Sequence, residues 1–69
     1  MKIIHHLIEN TPFGIQETFI TALGHIELWG DERTGYKWRF TSDIQFPTND
    51  GKIYLNRPDA IEAILAYMV

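Results

Sequence analysis

Three histidines, a single serine and an acidic turn are the residues of this chain whose types could do catalysis. Their spacing argues against it. His5, His6 and His25 are the only imidazoles, and there is no cysteine. Adjacent His5 and His6 point to different sides of either a helix or a strand. No His-x-His or His-x-x-x-His pair exists, so no metal site and no cofactor are expected. Ser42 lies next to Asp43, but a triad needs Ser, His and Asp in one chain of hydrogen bonds, and nothing in the sequence brings His25 to Ser42. A Gly-x-Ser-x-Gly elbow is absent. The Asp31-Glu32 pair could in principle act as acid and base, but acidic turn residues are ordinarily solvated. The glycines match no phosphate-binding loop, and Asn49-Asp50-Gly51 is too short a match for a calcium loop. A domain this small also has little room for the pocket of several hundred Å³ that ligands usually need. The expectation is a protein without catalytic residues that is not an enzyme.

Recognition is a different matter. Tyr36-Lys37-Trp38-Arg39-Phe40 interleaves aromatics with bases. This period of two marks a half-buried strand, with the aromatics packed and the bases solvated. The same alternation on an exposed strand would stack bases and contact phosphates. Trp29 stands in the opposite phase from Ile26 and Leu28, so it cannot share their face. Two roles are open for it. It pairs with Lys37 or Arg39 through a cation–π contact, or it is an exposed anchor for a partner, since Trp and Arg are enriched at binding hot spots. The candidate partner-binding residues are Trp29, Asp31, Glu32, Arg33, Lys37 and Arg39. The nucleic-acid alternative uses Arg33, Lys37, Arg39, Lys52 and Arg57.

The elements that must hold these residues follow from punctuation and period. Residues 26–40 read as a hairpin, with Gly30 to Gly35 as its turn and Gly35 in a left-handed position. Upstream, Ile3, Ile4, Leu7 and Ile8 recur as a helical stripe over residues 2–9, a buried strand being the competing assignment. Thr11 as N-cap, Pro12 as first helical residue, a stripe of Ile15, Phe19, Ala22 and Leu23, and Gly24 as the stop predict a helix over 12–23. Thr18-Phe19-Ile20-Thr21, rich in β-formers, and the internal Gly14 count against that helix. Downstream, Ile44-Gln45-Phe46 and Lys52-Ile53-Tyr54-Leu55 around Asp50-Gly51 suggest a second hairpin. Pro58, Asp59 and the stripe of Ile61, Ile64, Leu65 and Met68 predict a helix to the C-terminus. The expected fold is a small single α+β domain over residues 1–69. Its antiparallel hairpin sheet of three to four short strands packs with two N-terminal helical segments and a C-terminal helix.

Composition bounds the rest. At 69 residues and 45% hydrophobic, the chain is a folded globule that buries only about 60% of its unfolded surface. Such a chain, without disulfides, leans on an oligomer or a partner. Its lack of cysteine suits the cytoplasm. No apolar run could span a membrane, and the N-terminal stretch is a poor signal peptide, so no membrane partner is expected. The net charge of −3 leaves a basic middle, where Arg33, Lys37, Arg39, Lys52 and Arg57 outnumber Asp43 and Asp50. That permits an anionic contact without the strongly basic footprint of a nucleic-acid domain.

One resemblance bears on the alternative. Phe46-Pro47, Asp50-Gly51-Lys52-Ile53-Tyr54 and Ala60-Ile61-Glu62-Ala63-Ile64-Leu65 are similar to the wing and last helix of excisionase-type winged-helix proteins. The resemblance covers barely a third of the chain and implies nucleic-acid binding. The segment before Phe46 departs from that family, because it reads as a hairpin and not as a helix-turn-helix. The expected function is therefore a non-enzymatic protein-interaction module that regulates or inhibits a larger protein. Nucleic-acid binding is the alternative, and the apolar C-terminal helix is a second candidate surface, for a homodimer.

Overall fold

The computed structural model describes residues 2–12, 14–44 and 46–69. In it, β1 (Ile3–Thr11), β2 (Gly14–Thr21), β3 (Gly24–Asp31) and β4 (Gly35–Thr41) form one antiparallel meander in the order β1-β2-β3-β4. A single helix, α1 (Arg57–Met68), follows and packs on β3 and β4. The two expected N-terminal helices are therefore wrong. Residues 3–9 lie in β1, and residues 14–21 are β2, with 22–23 the turn to β3 (Phe13 lies outside the described residues).

The physical reason lies in the pairing. Phe19 faces Ile26, which faces Phe40, and Glu17 faces Leu28, which faces Trp38. The apolar residues of β2 meet a period of two across the sheet, and this outweighs their accidental match to a helical stripe. The β-branched and aromatic run of residues 18–21 suits a pleated surface. Thr11 and Gly24, expected to start and stop a helix, lie at hairpin turns instead. Thr11 faces Gly14 and its hydroxyl donates to the Gly14 carbonyl at 2.7 Å. Thr21 faces Gly24 and its hydroxyl donates to the Gly24 carbonyl at 2.8 Å. The repeated Thr-x-x-Gly was the sequence signal for these turns.

The hairpin over 26–40 is present. Trp29 faces Lys37, and Gly35 closes the turn with φ of +85°. The second hairpin is not. Among the described residues of 42–56, only single bridges reach β4, with Thr48 opposite Phe40 and Tyr54 opposite Tyr36. Ile44 and Phe46 are exposed, and Gln45 lies outside the described residues. Asp50 anchors this segment by accepting from the Trp38 indole at 3.3 Å and from the Tyr54 hydroxyl. The wing-like segment thus lacks a wing hairpin, and a sheet stands where the winged-helix pattern has helices.

The core is one seam. Ile26, Leu28, Trp38 and Phe40 of the inner sheet face, with Phe19, meet Ala60, Ile64 and Met68 of the helix. Ala60, fully buried, lets the backbones approach, and Tyr67 packs beside Trp38 and Phe40 at 5.1 and 5.6 Å between ring centroids. Asn56 caps the helix by accepting from the Asp59 N–H at 3.0 Å, with Pro58 in the first turn. Of the expected stripe, Ile64 and Met68 are buried, Ile61 is half-buried and Leu65 is exposed. A helix about 10 Å across spans only two or so strands spaced about 4.8 Å apart. Its cover therefore ends over β3 and β4, and β1 stays largely bare.

Gly24 is a tight turn position. A Cβ there would collide with the Thr41 carbonyl oxygen and touch the Phe40 ring, and φ is +151°. Gly24→Ala is expected to destabilise the fold by about 2–3 kcal/mol, read as a lower urea midpoint at unchanged slope.

Candidate functional site

With the helix on the inner face, the outer face of the sheet has no second layer among the described residues. Side chains alternate across a strand, so Glu27 and Trp29 of β3 point outward with Lys37 and Arg39 of β4. β2 adds Gln16, paired with Trp29, and Thr18, paired with Glu27. Trp29 is 36% exposed. The Arg39 guanidinium carbon lies 5.8 Å from its ring centroid, and Arg39 also donates to Glu27 at 2.8 Å. Gln16 donates to the other Glu27 oxygen at 3.1 Å. Arg39 is thus pinned by its carboxylate partner while lying over the indole, a contact worth about 0.5–1 kcal/mol at an exposed site. Beside it runs a surface groove of about 540 Å³ lined by Thr11, Pro12, Ile15, Gln16, Glu27, Trp29 and Arg39.

Trp29, Lys37 and Arg39 therefore share the outer face as expected from their phase, and Trp29 is partly exposed and contacts Arg39. The loop residues lie at the turn beside them. Asp31 accepts from the backbone N–H of Arg33 and of Thr34, both at 2.8 Å, and from the Thr34 hydroxyl at 3.1 Å. Those bonds, the Thr34 N–H first, hold its carboxyl below the ordinary carboxylate value. Asp31 shapes the turn, and Glu32 and Arg33 are exposed at its tip. Glu27 shares the phase of Trp29, but Gln16, Ile15 and Pro12 beside it are not expected from a helix over 12–23.

The five bases of the nucleic-acid alternative do not share a face. Arg57 reaches Glu17 on the inner side, and Arg39 is paired with Glu27. Lys37 and Lys52 have no carboxylate within ion-pair distance among the described residues, and they flank Trp29 at a second, smaller groove. The aromatics meant to stack bases point the other way: Trp38 and Phe40 are each 3% exposed, beneath the helix.

The inner face carries an ion cluster that sequence reasoning missed. Glu17, 6% exposed, accepts two bonds from Arg57, Nε at 2.6 Å and Nη2 at 2.5 Å. His6 Nε2 lies 2.8 Å from the same carboxylate, and its ring stacks on Phe19 at 4.5 Å. Forty residues separate Glu17 from Arg57, and no local pattern links them. Arg57 lowers the Glu17 pKa most, burial opposes this, and His6 lowers it further. A groove of about 490 Å³ opens beside the cluster, lined in part by Ile8, Ile15 and Tyr36.

His25, Ser42 and Asp43 do line one surface groove, which the sequence did not suggest. The Ser42 oxygen accepts from the Ile44 N–H at 3.4 Å, and no hydrogen bond joins the three side chains among the described residues. That is not the linked chain that acyl transfer requires. The described residues contain no group of three or more His, Asp or Glu side chains that could hold a metal ion, and no helix long and apolar enough to cross a membrane. Comparison of the chain with protein-family profiles, curated proteins and solved structures finds no match.

The Glu17 cluster sets a pH dependence. Its folded pKa lies below the ordinary 4.5, so its stabilisation is complete above that value and is lost as pH falls through the lower folded value. Glu17→Gln is expected to cost about 1–3 kcal/mol at pH 7. The gap to wild type should close as pH falls below 4.5 through the lower folded value, measured by urea unfolding at each pH.

Proposed function

We propose that this chain is a non-enzymatic protein-interaction module that regulates or inhibits a larger protein by docking through the outer face around Trp29. The observation that carries this reading is the partly exposed indole on the sheet face without a second layer, held by Arg39 and bordered by a groove. An aromatic anchor fixed in advance loses little side-chain entropy on binding, which is what a hot spot needs. Lys37 and Lys52 beside it suit a partner segment that brings an apolar side chain to Trp29 and carboxylates to the two ammonium groups. The turn at Asp31, Glu32 and Arg33 is the rim of that surface. A cytoplasmic setting fits the Cys-free composition.

Nucleic-acid binding is the second reading, and the same Lys37, Lys52 and Trp29 favour it. It draws less support from Arg39 and Arg57, whose charges are compensated, and from aromatics turned toward the helix.

Affinity capture from the source cell with wild type and Trp29→Ala separates these. The substitution is expected to reduce partner recovery at least tenfold while leaving thermal unfolding nearly unchanged, because truncating a hot-spot aromatic typically removes about 2 kcal/mol of binding. Recovery unaffected by Trp29→Ala would place the docking surface elsewhere. Tryptophan fluorescence titrated with DNA and RNA at low salt is expected to stay flat. Saturable quenching that fades with salt and with Lys37→Ala would favour the second reading.

A further inference from the structure

The two edges of the sheet are treated differently. The outer edge of β4 is occupied, since Tyr36 and Phe40 exchange backbone hydrogen bonds of 2.7–2.9 Å with Tyr54 and Thr48. Nothing among the described residues pairs with the outer edge of β1. An open edge offers alternate N–H and C=O groups to another strand, and proteins usually blunt it with proline, charge or a short strand. β1 runs nine residues without proline, and Glu9 is its only acid. Ile4, Leu7 and Ile8 are 59%, 46% and 64% exposed along it.

We propose that β1 is the contact between two copies of this chain, paired antiparallel about a two-fold axis at Leu7 to make one continuous eight-stranded sheet. The occupant follows from self-complementarity. An axis at Leu7, the midpoint of Ile3–Thr11, overlaps the whole strand. It sets His5 against Glu9 of the other copy, and Glu9 against His5, so an imidazole meets a carboxylate on both sides of a Leu7–Leu7 pair. Neither His5 nor Glu9 makes a side-chain hydrogen bond or ion pair among the described residues. His6 falls opposite Ile8 on the inner face. Moving the axis by one residue in either direction breaks both His5–Glu9 pairs and shortens the overlap. The bulge between Ile3 and His5 confines regular pairing to His5–Glu9 and its flank.

A contact along one nine-residue strand is small, at the low end for a specific interface. The pairing should therefore be reversible and concentration-dependent. Thr11 borders both this edge and the Trp29 groove, but the proposal rests on His5, Leu7 and Glu9 and stands or falls apart from the Trp29 patch.

Sedimentation of the full chain from low micromolar to near-millimolar concentration tests this. Wild type is expected to pass from monomer to dimer. Glu9→Lys, which sets an ammonium against His5, should weaken the dimer by about tenfold, and the swap His5→Glu with Glu9→Lys should restore it. Under mild oxidation Leu7→Cys should cross-link to its own copy, since opposite Cβ atoms lie about 5 Å apart, whereas His5→Cys should not. Wild type that stays monomeric throughout overturns the proposal. So does a dimer indifferent to Glu9→Lys, a swap that fails to restore association, or cross-linking equal at positions 5 and 7.

Discussion

A single amphipathic helix has to seal the inner face of a four-stranded sheet, and it is too narrow to do so. Ala60, Ile64 and Met68 bury Ile26, Leu28, Trp38 and Phe40, and the seam lies over the C-terminal hairpin. Everything else takes its place from that limit. The N-terminal hairpin joins through backbone pairing and through Phe19, and β1 ends up with its apolar residues largely in solvent. A 69-residue chain without cysteine has no disulfide to compensate for this partial cover.

The Glu17–Arg57 pair ties the uncovered half to the covered one. It joins the first turn of the helix to β2, with His6 of β1 on the same carboxylate. A nearly buried carboxylate needs such partners, because leaving it bare would cost more than a surface ion pair contributes. The cluster sits where the apolar seam runs out, so polar bonds hold the helix N-terminus where hydrophobic contact cannot.

The surfaces proposed for recognition lie where the helix does not reach. The outer face presents Trp29 with Arg39, Glu27 and Gln16 as one bonded unit, and β1 is the sheet's terminal strand among the described residues. The two surfaces ask for different chemistry. The first suits an aromatic-anchored, charge-matched contact, and the second suits a strand. β4 is spared a similar role because Asp50, bonded to Trp38 and Tyr54, fastens the loop 42–56 along its edge.

The sequence by itself determined the hairpin over 26–40, its left-handed Gly35, the buried phase of Ile26, Leu28, Trp38 and Phe40, and the C-terminal helix with Pro58 in its first turn. Each rests on a local signal: strict alternation, a turn glycine or a cap. The grouping of Trp29, Lys37 and Arg39 was legible for the same reason, since phase within one hairpin is a local property. Tertiary structure decided the first 23 residues. Ile15, Phe19, Ala22 and Leu23 match a helical stripe, and the strand came instead from pairing Phe19 with Ile26 and Glu17 with Leu28, while Ala22 and Leu23 form the turn. The same choice brought Gln16 and Ile15 to Trp29 and Glu17 to Arg57. It also left β1 as an open edge, because which strand ends a sheet depends on every other strand having found its partner.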